Sequence, residues 1–258
     1  MRQLQNHDLD VERLATGLRE ETEAFARAVA GLDPAAPVPT CPEWRVRDLV
    51  GHIGQAHRWS AELVRTRAAA PVPDPRDAEP GDPQDWAAWL RDGAAALVAA
   101  VVDGGPATPV WTFLGERPAV FWLRRMLADT AVHHADAACA ARVDFAIAPD
   151  LAADTISEGL DLIGAAGTAN LQPALAELRG TGQTLQVRPD DVGAGWLITR
   201  GSDGVTWERR TADADVVVRG AVADLLLVFS RRTTLDDDRL TITGDRALLE
   251  HWWAHTAF

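Results

Sequence analysis

Residues 124–138, which read RRMLADTAVHHADAA, decide the fold of the first half of the chain because their apolar positions recur at helical spacing. Met126 and Thr130 lie on one stripe of such a helix. Asp129 and His133 are four positions apart, a net rotation of about 40° on an α-helix, so they project together from one face. The stretch therefore predicts an amphipathic helix with a carboxylate and an imidazole flanking its apolar stripe.

The same four-residue spacing occurs upstream, where Asp48 precedes His52. His52 lies at the edge of a second apolar stripe, so its ring can point between two helices. Pattern and turn residues predict four helices joined by short or polar connections, which is typical of a bundle. Their predicted ranges are 9–32, 39–70, 82–105 and 118–141. The second helix is expected to begin with a capping box that pairs Thr40 with Glu43.

The pattern of the sequence changes after about residue 148, where the helical spacing gives way to short β-like runs. One or two helices, at 150–164 and 171–180, are expected first. The runs at 183–189, 195–201, 204–211 and 214–220 then precede an apolar helix at 221–232, a strand at 239–244 and a closing helix at 245–258. The chain is therefore predicted to have an α+β fold with two domains, 1–147 and 148–258.

The composition excludes several classes of protein and of chemistry. The 258 residues carry a formal net charge of −13, which repels phosphate backbones and anionic lipids, so we expect no nucleic-acid or membrane partner. The chain has no lysine and no tyrosine, which rules out Schiff bases, lysine bases and tyrosine acids. The first fifteen residues contain no apolar signal segment, so we expect a cytoplasmic protein.

The residues flanking the apolar stripes of the second and fourth helices form a candidate metal site. His52, Asp129 and His133 would offer two imidazoles and a carboxylate, which around zinc leave a fourth position open, as in catalytic zinc sites. From spacing alone, Arg125, Asp129 and His133 could instead form a row of ion pairs on a solvated helix face. His134 could also be the inward histidine in place of its neighbour.

Other residues of metal-binding types have simpler interpretations. His251 and His255 are also four positions apart, but they lie near the end of the sequence, where helices fray and histidine is favoured at a helix C-terminus. Cys41 and Cys139 are interpreted as small packed residues, as free cysteines usually are, and two cysteines do not make a disulfide framework.

Three blocks of the sequence resemble a known family. TCPEWRVRDLVGHIGQAH at 40–57 looks like a signature of the mycothiol-dependent maleylpyruvate isomerase family, and RRMLADTAVHHADAA at 124–138 resembles a second signature of that family. GAVADLLLVFSRR at 220–232, together with LTITGDRALLEHWW at 240–253, is similar to its C-terminal domain. The blocks occur in the order that the family has, and the likeness spans nearly the whole chain.

The resemblance implies a fold, cofactors and site residues. The fold would be a DinB-like four-helix bundle followed by a smaller sterol-carrier-like α+β domain. A divalent metal, usually zinc, would be held by His52, Asp129 and His133, and the cofactor would be mycothiol or a similar low-molecular-weight thiol. The arginine that faces the cleft in the family corresponds to Arg231.

Two positions depart from the family pattern. The family has a glutamate where this chain has Asp129, whose side chain is shorter by one methylene, and it has an aromatic residue after the histidine pair where this chain has Ala135. Because zinc–ligand distances are tight, the site is expected to shift, to recruit Asp48 or Asp136, or to lose affinity. His134 is a further candidate for supporting the ligands.

The resemblance favours a metal- and thiol-dependent enzyme acting on a small electrophilic substrate, which could carry a carboxylate. The metal would keep the cofactor sulfur as a thiolate that adds to an activated double bond. Rotation and elimination would give cis–trans isomerisation, whereas retention of the adduct would be S-transfer. Two alternatives remain: a metal-free small-molecule binding protein, and a metal-dependent hydrolase that uses bound hydroxide.

Overall fold

The computed structural model of the protein describes residues 9–165 and 172–256, and its backbone divides into two compact units, Met1–Ala146 and Ile147–Phe258. That these units correspond to independent domains 1–147 and 148–258 stays a prediction. The expectations about the first eight residues, Leu171 and the last two residues of the closing helix lie outside the described residues.

The first unit contains the four predicted helices. They are α1 (Val11–Val29), α2 (Val46–Thr66), α3 (Trp86–Gly104) and α4 (Val120–Ala141). Helix α1 begins where the side chain of Asp10 accepts a hydrogen bond from the backbone N–H of Arg13, which satisfies one of the free donors of the first turn. Helices α2 and α4 each end at an arginine in the left-handed conformation.

The start of the second helix differs from the prediction. Residues Cys41–Arg45 form a strand, β2, which pairs with β1 (Pro37–Val38), so α2 begins at Val46. The capping box expected at Thr40 and Glu43 is therefore wrong. The carboxylate of Asp48 instead accepts from the backbone N–H of Arg45, 2.8 Å away. Residues 41–45 are extended because they pair with the preceding strand β1. A local helix signal in the sequence contains no information about such pairing.

The apolar stripe of α2 forms the centre of the bundle. Val46, Leu49, Val50 and Ile53 are fully buried, in one cluster with residues of α1 and α3. Full burial of each such side chain contributes about 1.5–3 kcal/mol, so this stripe fixes the face that α2 turns inward. A second short hairpin, β3 (Pro109–Val110) with β4 (Arg117–Pro118), precedes α4.

The second unit is an α+β module. Helix α5 (Pro149–Gly164) precedes a five-stranded sheet with the order β7-β6-β5-β8-β9, in which only the β5–β8 pair is parallel. The strands are β5 (Gln183–Pro189), β6 (Trp196–Gly201), β7 (Gly204–Arg209), β8 (Val216–Gly220) and β9 (Thr241–Gly244). Helix α6 (Val222–Phe229) links β8 to β9, and α7 (Arg246–His255) follows β9.

One predicted helix of this unit is wrong. The segment 171–180 contains a 3-10 helix, Pro173–Leu178, in place of an α-helix. Pro173 lacks a backbone donor, and Gly180 and Gly182 end the segment directly before β5, so the stretch is too short for an α-helix.

A helical unit followed by a sheet-containing unit confirms the predicted α+β fold class. Within residues 9–165 and 172–256, no helix combines the length and the apolarity that a bilayer span requires.

Candidate metal centre

Helices α2 and α4 bring together the three side chains that the sequence singled out. Nε2 of His52 lies 3.1 Å from Oδ2 of Asp129, and the ring centroids of His52 and His133 are 4.9 Å apart. One candidate ligand atom from each of the three residues lies within 4.8 Å of the others. The structure thus provides two imidazoles and one carboxylate at one point; that they bind a metal stays a prediction.

The Asp129 carboxylate lies between two basic groups. Its Oδ1 accepts from Nη2 of Arg125 at 3.1 Å, while its Oδ2 faces His52. Burial raises the pKa of Asp129, but the nearby His52, Arg125 and His133 oppose this and hold it well below its usual value. Asp129 is therefore an anion at neutral pH, so it can serve as a ligand without first losing a proton.

His133 is oriented by an acid on its own helix. Its Nδ1 lies 2.7 Å from Oδ2 of Asp136, which is fully buried. Sγ of Cys41 donates to the same oxygen at 3.4 Å. When Nδ1 of His133 is the donor to Asp136, its Nε2 keeps a lone pair. Cys41, His133 and Asp136 form a second, overlapping group with ligand-type atoms.

An indole covers one side of the two imidazoles. Trp44 stacks on His133, with ring centroids 5.4 Å apart and planes inclined by 28°, and its centroid is 5.0 Å from that of His52. Trp44 and Cys41 both come from β2, the strand that the sequence pattern assigned to a helix. Such an apolar cover reduces the local dielectric constant, which strengthens the electrostatic interactions beside it.

Two of the predicted supporting residues lie elsewhere. The Asp48 carboxylate caps the start of α2, as described above, and belongs to neither ligand group found among the described residues. Nδ1 of His134 lies 2.9 Å from Oε2 of Glu21 on α1, and its ring packs against Phe145. His134 therefore joins α4 to α1 and is not the histidine that faces His52.

A buried histidine beside the site was missed by the sequence reasoning. Nε2 of His57 lies 2.9 Å from Oγ1 of Thr130, and this hydroxyl donates to the Met126 carbonyl, so His57 is the donor of the pair. Burial lowers the pKa of His57 to about 4, which keeps the ring neutral. His57 follows His52 by five positions, about 140° around the helix, so it does not lie on the edge of the apolar stripe where His52 was identified.

Arg231 of the second unit has an incompletely bonded guanidinium. It follows α6 in the left-handed conformation (φ 63°), and its Cζ lies 4.5 Å from the centroid of the Trp253 ring. Nε and Nη2 are buried, and neither has a hydrogen-bond partner within the described part of the chain. Burial also lowers the pKa of Arg231. These two nitrogens share one edge of the guanidinium, which is the geometry that binds a carboxylate through both oxygens.

The cysteines and the C-terminal histidines complete the candidates. Neither Cys41 nor Cys139 forms a disulfide, and Cys139 is exposed, so its interpretation as a packed residue is wrong. The rings of His251 and His255 lie 4.3 Å apart, but Nε2 of His251 is 2.9 Å from the Glu177 carbonyl and Nδ1 of His255 is 2.7 Å from the His251 carbonyl. This pair belongs to no three-residue ligand group among the described residues.

The first unit is similar to a known domain family. Residues 18–138 match the mycothiol maleylpyruvate isomerase N-terminal domain, so this part of the helical unit is similar to that domain family. The resemblance predicted from the sequence blocks is confirmed. No curated protein sequence shows a significant match.

The chain also resembles solved structures. The crystal structure of the mycothiol-dependent maleylpyruvate isomerase matches over 92% of this chain and 94% of that chain, with a TM-score of 0.59 and 16% identity. A histidine-to-alanine mutant of that enzyme matches over the same shares, with a TM-score of 0.58 and 16% identity. At this identity the likeness shows a shared fold.

Proposed function

We propose that the protein is a thiol-dependent enzyme that isomerises a double bond in a small, electrophilic substrate carrying a carboxylate. The observation that carries this proposal is the convergence of His52, Asp129 and His133 between two helices of a unit that is similar to the maleylpyruvate isomerase N-terminal domain family. The similar solved structures, which are of a mycothiol-dependent maleylpyruvate isomerase, support mycothiol or a related small thiol as the cofactor.

The donor set fits a divalent metal, and zinc in particular. Two imidazole nitrogens and one carboxylate oxygen are ligands that zinc prefers in catalytic sites, where the fourth position stays open. Asp129 supplies negative charge, and the contact of His133 with Asp136 resembles the carboxylate–histidine pairs that orient metal ligands. Aspartate is one methylene shorter than glutamate. Oδ2 of Asp129 nevertheless lies 3.1 Å from Nε2 of His52, so the shorter side chain is long enough to share a metal with this imidazole.

The surrounding residues would prepare this site for chemistry. When bound, the metal and the thiol cofactor would together supply a thiolate nucleophile for a polarised double bond. Arg125 holds one oxygen of Asp129 and thereby orients the other toward His52. Trp44 excludes water from one side of both imidazoles. The chain has no lysine or tyrosine to serve as an alternative nucleophile or acid.

Arg231 is the residue that we propose to bind the substrate carboxylate. A buried N–H group without an acceptor is unfavourable by about 1–3 kcal/mol, so two such groups on one guanidinium edge favour an anionic ligand. Trp253 fixes the plane of the guanidinium, and its own Nε1 donates to the Val228 carbonyl at 2.9 Å. The arginine is therefore held in place before a substrate arrives.

The proposal is tested by an isomerisation assay with maleylpyruvate, run with and without added thiol and with and without zinc. We expect turnover only when both are present. Zinc-dependent hydrolysis of the substrate without thiol would support the hydrolase alternative, a stable thioether product would support S-transfer, and substrate binding without turnover would support a binding protein. Elemental analysis of the purified protein and of His52→Ala measures the metal separately.

Arg231→Gln tests the second half of the proposal. We expect kcat/KM to fall roughly 10- to 100-fold, because a charged bidentate contact is lost, while zinc content stays unchanged. Arg232→Gln is the matched control, since Nη1 of Arg232 donates to the backbone carbonyl of Ser230. Equal activity of the two variants would remove Arg231 from the substrate site.

A further inference from the structure

Cys41 occupies a position that the proposed chemistry does not use. It lies at the start of β2, half-buried, and its thiol donates to Oδ2 of Asp136 on α4. The same oxygen accepts from Nδ1 of His133. A single carboxylate oxygen thus joins the thiol of a strand to the imidazole of a proposed metal ligand.

We infer that Cys41 is a positioning residue for His133, acting through Asp136. This inference rests on the proposed function in so far as His133 is taken as a metal ligand. The Asp136 side chain is fully buried, so the donors around its oxygens determine its orientation. The thiol proton holds Oδ2 at the point where the His133 Nδ1–H meets it, which keeps the Nε2 lone pair of His133 directed away from Asp136.

The structure also explains why a thiol suits this position. A buried carboxylate needs donors, and a thiol is a small, weak donor that adds no charge of its own. Its hydrogen bond therefore directs Asp136 without competing strongly with His133 for the anion. Loss or alkylation of the thiol would remove this donor from Oδ2, and the Nδ1 tautomer of His133 would then be less strongly favoured.

The test measures the zinc dissociation constant by competition with a chromophoric chelator. We expect Cys41→Ala to weaken zinc binding about fivefold, the effect of losing one hydrogen bond in the supporting contact. Cys41→Ser, which keeps a donor, should restore affinity to within about twofold. Cys139→Ala, at the other and exposed cysteine, should bind zinc as the unaltered protein does. Equal affinity of Cys41→Ala and the unaltered protein would overturn the inference.

Cobalt substitution separates positioning from direct ligation. We expect the cobalt-loaded protein to lack a sulfur-to-metal charge-transfer band, because Cys41 acts through Asp136. A band that disappears in Cys41→Ala would identify Cys41 as a ligand and overturn the inference.

Imidazole ¹⁵N NMR of the metal-free protein gives a readout that does not depend on the metal. We expect His133 to carry its proton on Nδ1 in the unaltered protein and to populate both tautomers in Cys41→Ala. If the protein binds no zinc but this change occurs, the proposed function fails while the positioning role stands. An unchanged His133 tautomer in Cys41→Ala would show that the thiol does not position the ring.

Discussion

Two pairs of neighbouring histidines in this protein differ in what surrounds them. The rings of His52 and His133 lie 4.9 Å apart on two helices, with the Asp129 carboxylate against one of them. The rings of His251 and His255 are closer, at 4.3 Å on one helix, but each uses a ring nitrogen on a backbone carbonyl. Ring proximity alone therefore does not distinguish the two pairs, whereas the ionised carboxylate beside His52 does.

Removal of that carboxylate should have the largest effect. We expect Asp129→Ala to weaken zinc binding by more than about 100-fold, because two imidazoles without an anionic ligand hold zinc poorly and loss of even a supporting contact lowers affinity 10- to 100-fold. Zinc affinity measured by chelator competition gives the result. Asp48→Ala is the matched control, since this carboxylate also lies four positions before a histidine but caps α2. If Asp129→Ala binds zinc as tightly as the unaltered protein does, Asp129 is not a ligand and belongs to a row of ion pairs.

His57 is a third histidine near this carboxylate, and its burial outweighs the attraction of the Asp129 charge. Its pKa is lowered from 6.5 to about 4, so between these values the unfolded chain binds a proton that the folded chain does not. Stability should therefore fall as the pH decreases through this window, by about 3 kcal/mol for this group. Denaturant unfolding at pH 7 and at pH 4 measures the change, with His57→Gln as the comparison. A stability loss that is the same in both proteins would contradict the prediction.

The length of the carboxylate side chain is expected to have a smaller effect on zinc binding. Asp129→Glu restores the reach of the family residue, so we expect zinc binding to tighten by a few-fold at most, with the Arg125 contact readjusting around the longer side chain. Titration against the same chelator is sensitive enough to detect this. A large loss of affinity would mean that the spacing between α2 and α4 is adapted to aspartate.

The smallest change in zinc binding is expected at the second pair. The double variant His251→Gln, His255→Gln should leave zinc stoichiometry unchanged and should lower stability by about 2 kcal/mol, the usual effect of losing two hydrogen bonds. Elemental analysis and thermal unfolding measure the two quantities. Loss of bound zinc in this variant would show that His251 and His255 are the metal ligands.

Helical periodicity predicted most of the bundle and made His52, Asp129 and His133 candidates. A four-residue spacing fixes which side chains share a helix face, but it left His134 and a solvated row of ion pairs as alternatives, and the family resemblance selected the three residues. Arg231, in contrast, was indicated only by the family resemblance, because nothing in its local pattern distinguishes it from Arg232.

The residues near the site that the sequence pattern did not predict are positioned by contacts between separate elements of the chain. Cys41 and Trp44 lie near the imidazoles because β2 pairs with β1 and holds these two residues at the N-terminal end of α2. That pairing depends on contacts outside the strand, whereas the local pattern of threonine, proline and glutamate favoured a helix start. His57 was missed for a related reason, since its partner Thr130 lies on another helix.

The separation of the proposed ligands along the chain has a consequence for the lifetime of the protein in a cell. His52 and Asp129 lie 77 positions apart, and they meet only when α2 and α4 are both in place. An ion bound by them recognises the folded chain and not the unfolded one, so at 100 times its dissociation constant it would stabilise the fold by about 2.7 kcal/mol. The population of unfolded chains available to proteases would then fall roughly 100-fold. Metal supply would in this way set how much of the protein survives, before any turnover takes place.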